Sequence, residues 1–175
     1  MRQIGPTIIL VLLLTVFSIN AFGQCEELHP DRANAKNWKR GYLDYFGSGV
    51  DTLSYIKADS VLIGYISNSK TTMDMACSYY KAEMFAQKEL NAKIKVLMKM
   101  LKTSDRSMFQ RSQEIWLNFY KSESEFLNET FTVYSNDNKY LLGTQENVKN
   151  PERKYNMIKQ RILSINEYVE TLRDN

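Results

Sequence analysis

Residues 150–173 read NPERKYNMIKQRILSINEYVETLR, and this stretch decides the fold class. Tyr155, Ile158, Ile162, Ile165, Val169 and Leu172 recur at steps of three, four, three, four and three, which lines one face of an α-helix with apolar side chains. Asn150, Pro151 and Glu152 supply an N-cap, a first helical residue that needs no N–H donor, and an acid in the first turn. A helix with a single apolar stripe is stable only against another element, so the surrounding chain must provide partners.

Upstream, Thr71-Thr72-Met73-Asp74 has the spacing of a capping box and predicts a helix start at Thr72. From there Met73, Cys77, Tyr80, Met84, Gln87, Leu90, Ile94, Leu97 and Leu101 fall on one face. Thr72–Lys102 would make a rod of about 46 Å. Thr103-Ser104-Asp105 gives a turn and a new start. The next helix is expected to bury Phe109, Ser112, Trp116, Phe119, Glu123 and Phe126 and to fade near Thr130. Residues 131–148, rich in Asn and Asp, read as a loop or as a small hairpin around Asn136-Asp137-Asn138. The expected fold is mainly α: an antiparallel helical bundle of three long helices over residues 71–175. An irregular N-terminal arm, residues 24–70, precedes it, with one short helix from about Asp51 to Ile66.

The first 23 residues read differently. Arg2 precedes the apolar run Ile8–Phe17, about half of what a helix needs to span a bilayer. Ala21-Phe22-Gly23 then gives a small-x-small cleavage pattern, the layout of a secretory signal peptide. A lipoprotein is the alternative, because Cys25 follows closely; Gln24 stands where lipid attachment wants a small residue. Nothing later in the chain is apolar enough to cross a membrane, so a periplasmic or secreted location is expected. After export Cys25 and Cys77 read as a disulfide, with two unpaired thiols as the alternative.

Across 175 residues, 23 Lys and Arg stand against 20 Asp and Glu, with one His. A net charge of +3 with scattered basic residues gives no footprint for nucleic acid. His29 has no carboxylate near it in sequence, and the chain carries no nucleophile motif, phosphate loop or metal-ligand spacing. Met73/Met75 and Met98/Met100 are two residues apart and so point to opposite sides of a helix. No enzyme, metal or cofactor is expected.

The informative polar residues lie beside the apolar faces: Gln87 and Asn91 on the first long helix, Gln113, Trp116 and Tyr120 on the second, Arg161 on the third. Buried amides and guanidinium groups need hydrogen bonds, so these groups should find one another. They read either as a polar network that fixes helix register or as a partner-binding groove lined by Trp116 and Arg161. Lys81, Lys88, Lys95, Lys99 and Lys102 form a basic stripe, read as a solvated face or as an attractor of anionic partners.

Several short pieces fall in a recognisable order. Cys77 lies in the first long helix, followed by Gln87-Lys88-Glu89-Leu90-Asn91 and then Ser112-Gln113-Glu114-Ile115-Trp116. Gly143-Thr144 and Arg161-Ile162 complete the set. Over about residues 72–168 this resembles the LprI-like lysozyme-inhibitor domain, a family of exported bacterial helical modules. The resemblance implies a non-catalytic binding protein that occludes its partner, with a lysozyme as the partner class that the family suggests. The alternative is an envelope interaction or scaffold module unrelated to lysozyme.

Overall fold

In a computed structural model of the chain, the residues described are 25, 55–131 and 146–174. The predicted signal peptide, most of the arm with His29, and the hairpin or loop around Asn136-Asp137-Asn138 lie outside them. Among the described residues the structure is a helical bundle without strands: α1 (Lys57–Ile66), α2 (Thr72–Met100), α3 (Thr103–Phe131) and α4 (Glu146–Arg173). No helix among them is long and apolar enough to cross a membrane.

The capping box at the start of α2 forms as its spacing requires. Thr71 Oγ1 accepts from the Asp74 N–H at 3.1 Å, and the Asp74 carboxylate accepts from the Thr71 N–H at 3.0 Å. α2 is the central element, with its most extensive packing against α4 and further packing against α1. Contact on both sides explains why it buries small residues that the apolar spacing does not mark. Ser78, Ala82 and Ala86, at successive steps of four, are all buried and permit close approach of backbones.

α4 buries Tyr155, Ile158, Ile162, Ile165 and Val169 of the face its spacing predicts, while Leu172 in its last turn is exposed. Its start differs from the expectation. The helix begins at Glu146, so Pro151 lies inside it and one backbone hydrogen bond is missing there. Asn150 is not an N-cap. Its buried amide donates instead to the Leu127 carbonyl of α3 at 3.2 Å, which ties the first turns of α4 to the end of the preceding helix.

α3 also departs from its expected face. The buried residues are Gln113, Leu117, Tyr120 and Leu127, while Phe119 and Phe126 are more than half exposed. The buried seam lies one residue on from the predicted one, a rotation of about 100°. Met108, Ile115, Phe119 and Phe126 thereby form a second apolar line that faces outward.

α1 starts at Lys57, later than Asp51, with Tyr55 and Ile56 outside any helix. Ile56, Ala58 and Leu62 share one core cluster with Tyr79, Leu90, Leu97, Ile158 and Ile162. Two carboxylates hold this short helix. Glu89 of α2 accepts from the Lys57 and Ala58 N–H groups at 3.2 and 3.0 Å, an N-terminal cap supplied by another helix. Asp59 accepts from the Ile56 N–H at 2.8 Å. Cys25 and Cys77 are joined by a disulfide, with their Cα atoms 5.4 Å apart.

Candidate functional site

A groove of about 560 Å³ runs between α3 and α4. Trp116, Phe119 and Leu127 from α3 and Met157 from α4 give it apolar walls. Arg153, Asn156, Gln160, Arg161 and Ser164 from α4 and Glu123 from α3 give it polar ones.

Trp116 is the organising side chain. Its ring stacks on Tyr120, with centroids 5.5 Å apart and planes 16° from parallel. The Arg161 guanidinium lies 6.0 Å from the ring centroid on Trp116, at the outer limit of a cation–π contact. Arg161 also donates to Ser112 Oγ at 3.1 Å. With the Gln113 amide oxygen turned toward it, Arg161 Nε donates to that oxygen at 3.2 Å. Gln113 is buried and is thereby satisfied. Partial burial holds the guanidinium pKa below its usual value, so a ligand carboxylate would meet a cation already stripped of some of its water.

Gln113, Trp116, Tyr120 and Arg161 are therefore brought together as the sequence suggests. Trp116 and Arg161 line the groove, while Gln113 and Tyr120 support them from behind. Asn91 does not line the groove; it is half-buried on α2. Gln87 reaches along its own helix, donating to Glu83 Oε1 at 3.1 Å, rather than across to the other polar groups.

Glu83 is a member of the polar network that sequence reasoning missed. Tyr120 donates to its Oε1 at 2.5 Å. Lys154 of α4 bears on it electrostatically and donates to Asn128 of α3 at 2.7 Å. Glu83 thus links the stacked Tyr120 to α2, with α4 close by. Glu83 lies beside the marked face of Tyr80, Met84 and Gln87, but a charged side chain carries no weight in an apolar periodicity.

Burial pushes the Glu83 carboxyl above its ordinary value of 4.5, against the opposing effects of the Tyr120 hydrogen bond, Lys154 and Gln87. A raised carboxyl pKa means that the folded state holds the proton longer than the unfolded state. The resulting stabilisation is complete below about pH 4.5 and is lost as pH rises through the raised value. Glu83→Gln keeps an acceptor for Tyr120 and removes the titration. The stability of the variant relative to the parent should increase from pH 4 to pH 8 in urea melts. A difference that is flat with pH would contradict this account.

No group of three or more His, Cys, Asp or Glu side chains suited to a metal ion occurs among the described residues. No protein-family model, curated protein or solved structure matches the chain.

Proposed function

We propose that this chain is an exported, non-catalytic protein-binding module in which the groove between α3 and α4 covers part of a partner's surface. The proposed architecture is an up–down–up bundle of the three long helices. Tyr79 beside Tyr155 and Glu152 supports α2 and α4 running in the same direction. Tyr120 beside Glu83, and Arg161 beside Gln113, support α3 running against both. The observation that carries the binding reading is Trp116, stacked on Tyr120 and neighboured by Arg161 in the wall of an open groove. A preorganised aromatic next to a partly desolvated cation is the composition of a binding hot spot.

The LprI-like resemblance supplies the partner class, a lysozyme whose cleft is occluded without any bond being broken. Slower clearing of a peptidoglycan suspension when the purified protein is mixed with lysozyme is the expected result. Unchanged lysis at large molar excess would remove the inhibitor reading. Trp116→Ala separates groove from core. The ring is half-buried, so the fold should lose about 1.5–2.5 kcal/mol, roughly half the cost for a buried Trp. Partner affinity should fall by at least about 30-fold, as for a hot-spot residue. A fold loss without a binding loss would make the tryptophan structural.

The rival reading, an envelope module that binds anionic partners, draws on Lys88, Lys95, Lys99 and Lys102, all exposed on or just beyond α2. Capture from envelope extract that disappears at high salt would favour it.

A further inference from the structure

The groove between α3 and α4 carries a charge that its own lining does not balance. Arg153 and Arg161 line it against one acid, Glu123, among the described residues. Glu123 lies seven residues along α3 from Trp116, about 10 Å of helix rise, whereas the Arg161 guanidinium stands beside the Trp116 ring. Arg161 is held by neutral groups. Its Nη2 donates to Ser112 Oγ and its Nε to the Gln113 amide oxygen. No ion pair of Arg161 occurs among the described residues, and its Nη1 takes no part in these bonds. A half-buried guanidinium clamped along one edge by uncharged acceptors is oriented before any ligand arrives. Its strongest available partner is a carboxylate.

The apolar lining extends well beyond the reach of a single side chain. The α3 wall runs from Trp116 to Leu127 and the α4 wall from Arg153 to Ser164, each about 16 Å at 1.5 Å per residue. Trp116 and Phe119 lie toward the Arg161 end, and Met157 lies between Arg153 and Arg161 in α4. Exposed Asn156 and Gln160 edge the α4 wall and offer hydrogen bonds along its length.

We propose that the groove takes a segment of the partner chain that carries a carboxylate beside two or three apolar side chains. The carboxylate sits on Arg161, and the apolar side chains cover Trp116, Phe119 and Met157. This inference rests on the groove reading above and adds the chemistry of the occupant. Charge complementarity selects the acid. The polar α4 edge selects a peptide over a free alkyl carboxylate, because peptide groups can use Asn156 and Gln160 whereas an alkyl chain in an open groove would stay half in water.

Selection of random peptides displayed on phage against the immobilised protein tests the proposal, followed by fluorescence anisotropy of the enriched sequences. These should share an Asp or Glu close to two or more apolar residues. Exchanging that acid for its amide should weaken binding about tenfold or more, the range of a charge-assisted hydrogen bond. Arg161→Gln should make the acid and amide forms bind alike, a coupling that a general loosening of the fold would not produce. Arg161→Lys keeps the charge without the planar fork and should keep part of the difference, which preserves the test if the glutamine variant is too unstable to assay.

Peptides enriched without an acid, yet lost with Trp116→Ala, would overturn the carboxylate and leave the groove reading standing. Peptides indifferent to both Arg161→Gln and Trp116→Ala would overturn the two together. A selection that enriches no peptide would overturn the segment, and decanoate bound through Arg161 in its place would make a small amphiphile the occupant.

Discussion

Asp59→Ala should lower the folding free energy by about 3–5 kcal/mol, the cost of removing one member of a buried ion pair. Asp59 is fully buried, at 0% exposure. Its carboxylate accepts from Tyr155 Oη at 2.6 Å, from Lys159 Nζ at 3.0 Å and from the Ile56 N–H at 2.8 Å. Alanine would leave three buried donors without an acceptor, one of them a cation. The pair itself is not where the stabilisation lies, because desolvating both charges offsets most of their attraction. Asp59→Leu combined with Lys159→Met should therefore cost clearly less than Asp59→Ala alone. Urea denaturation followed by circular dichroism measures both. A double variant as unstable as the single would place the cost in the Tyr155 hydroxyl and the Ile56 N–H left without an acceptor rather than in the unpaired Lys159 cation.

This carboxylate is also where the sequence was hardest to read. It belongs to a ten-residue helix containing Gly64 and several β-branched residues, weak material by propensity. α1 exists because partners far along the chain complete it. Glu89 caps its N-terminus, and Tyr155 and Lys159 meet its acid across a separation of 96 and 100 residues. No local pattern reports such contacts. The seam of α4 was legible for the opposite reason. A helix with one buried face and polar residues elsewhere encodes that face in its spacing alone.

α3 shows how the same rule misleads. Its apolar and aromatic residues form two lines: Leu117, Tyr120 and Leu127 facing the core, and Met108, Ile115, Phe119 and Phe126 facing out. Spacing at three and four cannot tell which line is buried. The predicted seam, through Trp116 and Phe119, fell between the two. That intermediate direction is the wall of the groove, so an error in the buried face still pointed to the groove. On α2 the difficulty was small side chains. Ala82 and Ala86 are fully buried, yet they carry little weight in a hydrophobic pattern, because their contribution is the close approach of helices rather than apolar area. At Pro151 the local signal misled: the helix begins at Glu146, about one turn further back, and Asn150 donates to the Leu127 carbonyl rather than capping.

Cys25 and Cys77 carry the remaining large effect. Their disulfide closes a sequence separation of 52, for which loop-closure entropy alone gives about 4 kcal/mol of stability. Both half-cystines are buried, Cys77 near the start of α2. The core cluster of Ile56, Leu62, Leu90, Ile158 and Ile162 runs across α2, α4 and the region of α1 and contains neither cysteine. Removing the bridge should therefore act mainly on the unfolded chain, which regains the freedom of a long loop. Cys25→Ser with Cys77→Ser is expected to keep the helical circular dichroism of the parent while its urea midpoint falls by the equivalent of about 4 kcal/mol. Reduction of the parent protein should reproduce the same midpoint. Loss of helicity in the variant at zero urea would instead show that the bridge holds the native core together, and that the packing of α1, α2 and α4 is insufficient without it.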